Sequence, residues 1–299
     1  MGNKESLEGV KDRASQKFKR KTTKKVDMTD ALLDQPWRRS SWIPQEVHRK
    51  KQDLLRRITQ YVPVGGVLPK ARILLIGQVG VGKSSFVQSA SLALGSSYQT
   101  MPGSAQYKSH QVKDTDGTAL KFILSECRGL EPMGSGGIRT EDVANILKGH
   151  VGVSFQFKAL QPGHNGKGFK RNPLLADKVH CLVYVLEAAT MGDISQSLQK
   201  KIKAIQEQAD ELGIPELVLL TKVDEACPAV QEKLTEIYWS KSIAEKTQHV
   251  AELLDIPISH ILPVKNHPRS RPDPSTDILV LTALYRMLHS ADGFLEDLN

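Results

Sequence analysis

The sequence has few cysteines, few aromatic residues and no long apolar run. Its three cysteines, Cys127, Cys181 and Cys227, show neither CxxC nor Cys/His spacing, which excludes a disulfide framework and argues against structural zinc. No segment approaches about 18 consecutive apolar residues, so we expect no membrane-spanning helix. The charged N-terminus also lacks the apolar stretch of a secretory signal peptide. A reducing, cytoplasmic location fits these absences.

The net charge of +8 is concentrated at the N-terminus. Residues 1–25 hold nine Lys and Arg against three acidic residues, which leaves the rest of the chain nearly balanced. A domain that grips a nucleic acid over a broad face needs basic residues across that face, so we expect no nucleic-acid binding by the folded domain. Residues 1–35 are polar and too poor in apolar groups to offset their ordering entropy, and they are predicted to form a disordered basic tail.

Two further parts follow this tail. Residues 36–70 carry Trp37, Trp42 and a helical pattern, which indicates a segment that docks on the main domain; a partner-binding patch at the two tryptophans is the alternative. Residues 71–299 alternate apolar strands with amphipathic helices, a pattern typical of a sheet covered on both faces. Within this part, Asp116-Gly117 predicts a tight hairpin between the second and third strands.

Two other segments of the main domain carry structural predictions. Residues 229–254, AVQEKLTEIYWSKSIAEKTQHVAELL, are predicted to form one amphipathic helix. Residues 157–178 are rich in Gly, Pro and Lys, and they are predicted to form a long surface loop before the fourth strand.

The strongest motif in the chain is GQVGVGKS, Gly77 to Ser84, which follows an apolar strand, opens a helix and fits GxxxxGK[ST]. The glycines let backbone amides wrap phosphates, and the helix N-terminus adds positive dipole. Lys83 neutralises phosphate oxygens and Ser84 ligates Mg²⁺. A glycine turn without a ligand is the alternative. The predicted phosphate-binding residues are Gly77, Gly80, Val81, Gly82, Lys83, Ser84, Ser85 and Gly129.

The element that chooses the base is TKVD, which ends a later strand and resembles the [NT]KxD element of GTPases. There the carboxylate accepts two hydrogen bonds from the guanine edge, which adenine cannot donate. A plain surface turn is the alternative. Pro263–Asn266 follows the last strand and resembles in place the SAK loop of GTPases. The predicted guanine-binding residues are Thr221, Lys222, Asp224, Val264, Lys265 and Asn266.

The DxxG element of GTPases is replaced here by ExxG. Glu126 stands where an aspartate holds the Mg²⁺ shell, and Thr100 is a candidate for the hydroxyl that senses the γ-phosphate; an ordinary loop threonine is the alternative. Leu130 and Val79 stand where Ras-like proteins carry glutamine and glycine, which points to tight or slow nucleotide handling. The predicted metal ligands are Ser84, Glu126 and Thr100.

Taken in order, these elements resemble the interferon-induced protein 44 family, a divergent branch of P-loop GTPase-like proteins. The resemblance covers roughly residues 36–299 and is carried by PWRRSSW, ARILLIGQVGVGKSSF, FILSECRGLE, KVHCLVYVLEA, LLTKVD and DILVLTALYRMLHSADGFLEDL. It implies a GTP-binding, interferon-inducible, cytoplasmic protein of innate immune and antiviral responses, with no well-defined catalytic mechanism. Longer members carry a separate domain where this sequence has its basic tail.

The expected fold is therefore α/β: a Ras-like P-loop GTPase domain with a mostly parallel six-stranded sheet, one antiparallel edge strand and helices on both faces. The expected cofactors are GTP or GDP and Mg²⁺, with slow or absent hydrolysis, no assigned catalytic residue and an unidentified protein effector. Two roles stay open, a nucleotide-dependent switch and a non-catalytic interaction protein on a GTPase scaffold. TKVD disfavours an ATP-dependent P-loop enzyme.

The tail carries a pattern for lipidation. MGNKES fits MGxxx[ST], which makes Gly2 a candidate for N-myristoylation, and Lys17 to Lys25 supplies the basic second signal that stable anchoring needs. We expect peripheral attachment to an anionic membrane surface on the cytoplasmic side. A solvated tail, or a nuclear-import or RNA-binding patch, is the alternative.

Overall fold

The apolar runs of the sequence pair into one seven-stranded sheet. A computed structural model describes residues 31–39, 46–66, 68–101, 106–131, 137–152, 168–267 and 273–298. The strands are β1 (Ala71–Ile76), β2 (Tyr98–Thr100), β3 (Tyr107–Lys113), β4 (Ala119–Cys127), β5 (Cys181–Glu187), β6 (Glu216–Thr221) and β7 (Ile261–Pro263). Their order across the sheet is β2-β3-β4-β1-β5-β6-β7.

The sheet is mostly parallel, as predicted. β1 runs parallel to β4 and β5, and β6 runs parallel to β5 and β7, whereas β3 is antiparallel to both of its neighbours. The sequence predicted six strands with β3 at the edge. The seventh strand, β2, pairs with the outer side of β3 and was missed because its three side chains are exposed and form no apolar pattern.

The predicted hairpin between β3 and β4 is confirmed. Asp114 N–H donates to the Thr118 carbonyl at 2.7 Å, and Gly117 N–H donates to the Asp114 carbonyl at 3.0 Å. Gly117 has a φ of 86°, a conformation that glycine adopts without steric cost. This turn sets the register that puts His110 opposite Leu124 and Lys108 opposite Glu126.

Eight α-helices surround the sheet within the described residues. They are α1 (Val47–Thr59), α2 (Lys83–Ala93), α3 (Thr140–Leu147), α4 (Gln196–Glu211), α5 (Val223–Ala226), α6 (Pro228–Glu232), α7 (Lys241–Leu254) and α8 (Pro274–Glu296). α8 packs against β1 and β5, and α1 and α2 pack against α8. The parallel strands β1, β5 and β6 are buried along most of their length, as expected when helices cover a sheet.

The prediction of a single helix over residues 229–254 is wrong. α6 ends at Glu232, a 3-10 turn covers Leu234–Tyr238, and α7 begins at Lys241. Ser240 is the reason for the restart, because its hydroxyl accepts the Ile243 N–H at 3.2 Å and so caps α7. The side-chain pattern runs through this cap, which is why periodicity alone did not reveal the break.

The segment before β1 packs on the domain through Trp37 and α1. Trp37 Nε1 donates to the Ile237 carbonyl at 3.0 Å, and Leu54 and Ile58 of α1 are buried. Lys51 Nζ lies 2.7 Å from the buried carboxylate of Asp277 in α8. Trp42, residues 1–30 of the predicted tail with Gly2, and part of the predicted loop 157–178 lie outside the described residues. The prediction of disorder is wrong for residues 31–35, because Leu33 N–H donates to the Trp239 carbonyl at 2.7 Å and holds this stretch on the domain.

One expectation about membrane segments needs correction. By length and composition alone, α8 is long and apolar enough to cross a membrane, although its apolar residues are interrupted by polar ones. Of that window, 61% is buried inside the domain, where α8 contacts two strands and two helices. The apolarity of α8 is accounted for by the core.

The three cysteines, Cys127, Cys181 and Cys227, are free and buried.

Candidate functional site

The P-loop follows β1 and leads directly into α2. Only glycine fits at position 77, because a Cβ there would lie 2.3 Å from the Val185 carbonyl oxygen of β5. Gly82 caps α2 with a φ of 100°, and a Cβ at this position would lie 2.7 Å from Asn266 Nδ2. At Gly80, also at positive φ, a Cβ would meet nothing within 4 Å. The loop is therefore packed closely at Gly77 and Gly82 and open at Gly80, where a ligand would approach.

Lys83, the first residue of α2, folds back onto the loop. Its ammonium donates to the carbonyl oxygens of Gly77 at 2.8 Å and Gln78 at 2.6 Å. Burial lowers the pKa of Lys83, an effect that the nearby Glu126 opposes. The ammonium thus lies inside the cradle, ready to exchange carbonyl oxygens for phosphate oxygens.

A relay of four side chains links the P-loop to the edge of the sheet. Ser84 Oγ donates to Glu126 Oε2 at 2.6 Å, and the other oxygen of Glu126 lies 3.1 Å from His110 Nε2. His110 Nδ1 in turn lies 3.0 Å from Thr100 Oγ1 in β2. The structure thus joins Ser84, Glu126 and Thr100, the three predicted metal ligands, but Thr100 reaches Glu126 only through His110.

The Glu126 carboxylate is held in its charged form. Burial raises its pKa, but the hydrogen bonds from His110 and Ser84 outweigh burial and keep the pKa below its ordinary value. His110 was not predicted, since a lone histidine in a strand has no recognisable spacing. Within the described residues no group of three or more His, Cys, Asp and Glu has metal-ligand geometry, so a cation here would depend on oxygen ligands that include Ser84.

The ExxG loop lies against the P-loop at Gly129. A Cβ at Gly129 would lie 2.6 Å from Val79 N and 2.8 Å from Glu131 Oε1, so only glycine fits. Leu130 N–H donates to the Gly77 carbonyl at 3.0 Å, and its side chain is fully buried. Glu131 Oε1 accepts the N–H of Val79 at 3.0 Å. One backbone N–H of the P-loop therefore already donates to a carboxylate oxygen, although such N–H groups are the donors that bind phosphates.

The base side of the site is tied to the P-loop by Thr221, the last residue of β6. Its hydroxyl lies 2.6 Å from the Val81 carbonyl and 3.0 Å from the Leu186 carbonyl of β5, and the residue is fully buried. Lys222 follows with a φ of 55°, and its ammonium pairs with Glu187 at 2.8 Å. This backbone conformation turns the chain into α5, which carries Asp224.

The second base loop meets the first at Asp224. Lys265 Nζ lies 3.4 Å from Asp224 Oδ2, and both side chains are about three-quarters buried, with 26% and 22% exposed. Asn266 Nδ2 donates to the Gly82 carbonyl at 3.2 Å, while Asn266 Oδ1 is buried without a partner among the described residues. Val264 is buried, and its N–H donates to the Leu220 carbonyl, so it contributes to the sheet end.

A cavity of about 270 Å³ opens over the P-loop. Three cations line it: Lys83, which the P-loop motif identifies, and Lys108 and Arg128, which were not predicted from the sequence. Both flank Glu126, Lys108 as its β3 pairing partner and Arg128 two residues along the chain. That nearness to the ExxG element is the signal that would have found them. The full lining is Val79, Gly80, Gly82, Lys83, Ser84, Ser85, Lys108, Glu126, Cys127, Arg128 and Gly129.

The arrangement fits a nucleotide with Mg²⁺. The loop offers an open cradle above Gly80, a buried ammonium in Lys83, and a hydroxyl and carboxylate side by side in Ser84 and Glu126. The orphaned Asn266 Oδ1 is an acceptor next to the base loop that a donor on a ligand would satisfy.

Comparison with known proteins gives one partial match to a family model. A model of the AAA domain (dynein-related subfamily) matches residues 72–116, which span β1, the P-loop, α2 and the start of the hairpin. A dimerization-deficient mutant of Toc33 from Arabidopsis thaliana shares 13% identity, with 82% of this chain and 92% of that chain covered and a TM-score of 0.44.

Two curated relatives are much more similar in sequence. Interferon-induced protein 44-like of Homo sapiens is 35% identical over 264 residues, which is 84% of this chain and 58% of that protein. Interferon-induced protein 44 of Mus musculus is 35% identical over 257 residues, 82% of this chain and 60% of that protein. The chain thus spans about 60% of the length of these relatives. Since the identity extends over most of this chain, the chain belongs to the interferon-induced protein 44 family.

Proposed function

We propose that this protein binds guanine nucleotides with Mg²⁺, hydrolyses GTP slowly or not at all, and acts in the interferon-induced innate immune response. The observation that carries the nucleotide proposal is the hydrogen bond from Thr221 to the Val81 carbonyl. This bond joins the TKVD element to the P-loop, and it supports a site in which a ligand with its phosphates on the loop would have its base near Asp224. The immune role rests on the names of the relatives.

Each group at the site has a distinct task in this proposal. Lys83 would exchange the carbonyls of Gly77 and Gln78 for phosphate oxygens. Ser84 and Glu126 would hold Mg²⁺, which supplies neutralising charge between the phosphates. Asp224 would accept the two N–H groups of guanine, with Lys265 beside it. A carboxylate matched to those donors disfavours adenine, which offers no such pair.

Slow hydrolysis is supported by Leu130. Its side chain is fully buried and apolar, so the position after Gly129 supplies no group that orients a water. Val79, with 67% of its surface exposed, lines the cavity over the P-loop. If GTP is cleaved, the water-orienting group has to come from a partner or a second copy of the chain.

A second candidate function is supported by Glu131. Its carboxylate already satisfies the Val79 N–H, as a phosphate oxygen would. A chain stabilised in this way needs no nucleotide to fill that donor, which suits a non-catalytic interaction protein on a GTPase scaffold. The two functions differ in whether any nucleotide binds and in whether partner binding changes between GDP and a GTP analogue.

For location we propose the cytoplasm, with the basic residues 1–25 drawing the protein to anionic membrane surfaces. Cosedimentation of the full chain with phosphatidylserine vesicles would test this. Replacement of the lysines between Lys17 and Lys25 by glutamine should abolish it. Equal cosedimentation with neutral phosphatidylcholine vesicles would contradict the proposal.

The nucleotide proposal is tested by titrating the protein with a fluorescent GTP analogue and Mg²⁺, and by competing it with unlabelled GTP and ATP. GTP should compete well and ATP poorly, with little phosphate released. Lys83→Ala should weaken binding about tenfold or more, because it removes a charged hydrogen-bond donor, whereas the exposed control Lys241→Ala should not. Failure of both nucleotides to bind would favour the interaction protein.

A further inference from the structure

A second cavity, of about 320 Å³, lies at the β7 edge of the sheet between the N-terminal segment and α8. It shares no lining residue with the cavity over the P-loop. Four cations from three parts of the chain line it: Arg38 and Arg39 before α1, Lys50 in α1 and Arg286 in α8. No Asp or Glu is among its described lining residues, so its charge is of one sign.

Arg38 is fixed in place as part of this wall. Its guanidinium donates to the Ile261 carbonyl at 2.9 Å and to the Ile258 carbonyl, and it stacks 4.9 Å from the centre of the Trp37 ring. Burial lowers the pKa of Arg38, an effect that Tyr238 opposes and Arg286 reinforces. The fold therefore brings two guanidinium groups near each other although they repel.

The three arginine charges of this cavity are not neutralised by ion pairs within the described residues. Among the described residues, Arg38, Arg39 and Arg286 form no salt bridge with a carboxylate. The nearby acid Glu46 pairs with Arg49 at 2.7 Å, and its charge also acts on Lys50, where it opposes the lowering of the pKa by burial. Three guanidinium groups around a partly buried space, none of them in a salt bridge within the described residues, leave room for an anion from outside.

A second, independent feature of the cavity is the hydroxyl of Thr282. This residue lines the cavity one helical turn before Arg286 in α8, on the same face of the helix. Its Oγ1 is buried and has no hydrogen-bond partner within the described part of the chain. Buried hydroxyls normally find a partner, so this one indicates a ligand oxygen that completes it.

We propose that this cavity is a binding site for a phosphate ester, carried by a small soluble molecule or by a lipid headgroup. A phosphoryl group has several negative oxygens, which suit the forked donors of Arg39 and Arg286 and the hydroxyl of Thr282. The cavity is at the lower end of the range that holds small ligands, about 300 Å³ and upward, which suits a compact polar headgroup.

The probe for the test is inositol trisphosphate, titrated calorimetrically into the full chain. Binding should be retained by Lys83→Ala, because the P-loop lies outside this cavity. Arg286→Gln should weaken binding about tenfold or more, since one charge-assisted hydrogen bond is lost. Arg49→Gln, an exposed neighbour that does not line the cavity, is the matched control and should bind as the wild type does.

Thr282→Val separates ligand binding from folding. Loss of an unpartnered buried hydroxyl should leave the midpoint of thermal unfolding unchanged or raise it, while the affinity for inositol trisphosphate falls several-fold. Three results would each overturn the proposal. The wild type does not bind, Arg49→Gln weakens binding as much as Arg286→Gln does, or Lys83→Ala abolishes binding while Arg286→Gln binds as the wild type does.

Vesicles distinguish the two sources of the phosphoryl group. Phosphatidylcholine vesicles that carry phosphatidylinositol bisphosphate should retain the protein in an Arg286-dependent manner if the ligand is a headgroup. Binding of inositol trisphosphate without such retention assigns the cavity to a soluble ester. Retention that is unchanged in Arg286→Gln, together with the absence of soluble binding, would contradict the site.

Discussion

The hydroxyl of Ser84 donates to the carboxylate of Glu126 at 2.6 Å, across the gap between the first turn of α2 and the end of β4. The two residues are 42 positions apart in the chain, and their side chains meet where a P-loop protein holds its metal. The extra methylene of glutamate relative to aspartate does not prevent the contact, because His110 holds the other carboxylate oxygen from behind. The pair defines the metal side of the proposed nucleotide site.

The first prediction concerns this pair. Glu126→Gln should reduce by about tenfold the gain in nucleotide affinity that Mg²⁺ provides, because a neutral amide holds the hydrated cation less well. Titrations with a fluorescent GTP analogue, with Mg²⁺ and with excess EDTA, measure that gain. The exposed Glu141→Gln is the control. An unchanged dependence on Mg²⁺ in Glu126→Gln would remove this carboxylate from the metal site.

A second prediction follows from the contact between Glu131 and Val79. If a phosphate binds at the P-loop as proposed, the Glu131 carboxylate would compete with it for the Val79 N–H and would repel it electrostatically. Glu131→Gln should therefore tighten GTP binding several-fold, mainly at low ionic strength. Fluorescence titration at two salt concentrations checks this, with the exposed Glu245→Gln as control. Weaker binding in Glu131→Gln would mean that the carboxylate supports the nucleotide.

The third prediction is a pH dependence of stability that arises from His180. This side chain is fully buried, its Nδ1 accepts the Arg72 N–H at 3.0 Å, and burial lowers its pKa from 6.5 to about 4. The unfolded chain takes up a proton near pH 6.5 and the folded chain only near pH 4. Stability is therefore complete above about pH 6.5, and up to about 3 kcal/mol is lost as the pH falls toward 4.

Urea unfolding between pH 7.5 and pH 4.5 measures this loss. His180→Gln lacks a titrating ring and should show a flatter pH dependence in the same interval, although it is less stable at neutral pH. Identical slopes for the wild type and His180→Gln would show that the loss of stability comes from other groups.

The fourth prediction tests whether α1 belongs to the same folding unit as the sheet. Ile58 is fully buried where α1 packs against α8. Ile58→Ala should lower the free energy of unfolding by about 2–5 kcal/mol and keep a single transition, because a cavity opens in a shared core. Chemical denaturation followed by far-UV circular dichroism checks this. Exposed Arg56→Ala should change little, and a near-wild-type Ile58→Ala would indicate an independently folded segment.

The sequence allowed much of the fold to be predicted because local patterns determine it. The P-loop, the Asp116-Gly117 turn and the apolar strands each carry a signal within a few residues, and the structure has them where they were expected. What failed lacked such a signal. β2 has no apolar face, and the break before α7 depends on a single capping hydroxyl, that of Ser240.

The candidate site was less predictable because its contacts join distant parts of the chain. Thr221 and Val81 are 140 residues apart, and Glu126 is positioned by His110, which no motif identifies. The same holds for Glu131, whose carboxylate reaches a P-loop amide 52 residues away. Motifs identify residues with chemical roles, whereas the residues that orient them become visible only in three dimensions.

The central claim is that Asp224 recognises guanine, and the substitution Asp224→Asn tests it most directly. An amide at this position can donate to the second carbonyl of xanthine but cannot accept both guanine N–H groups. Binding of GTP should weaken about a hundredfold or more while XTP becomes the preferred nucleotide, and exposed Glu225→Gln should keep the wild-type preference. A GTP preference unchanged in Asp224→Asn would contradict the assignment of the base site.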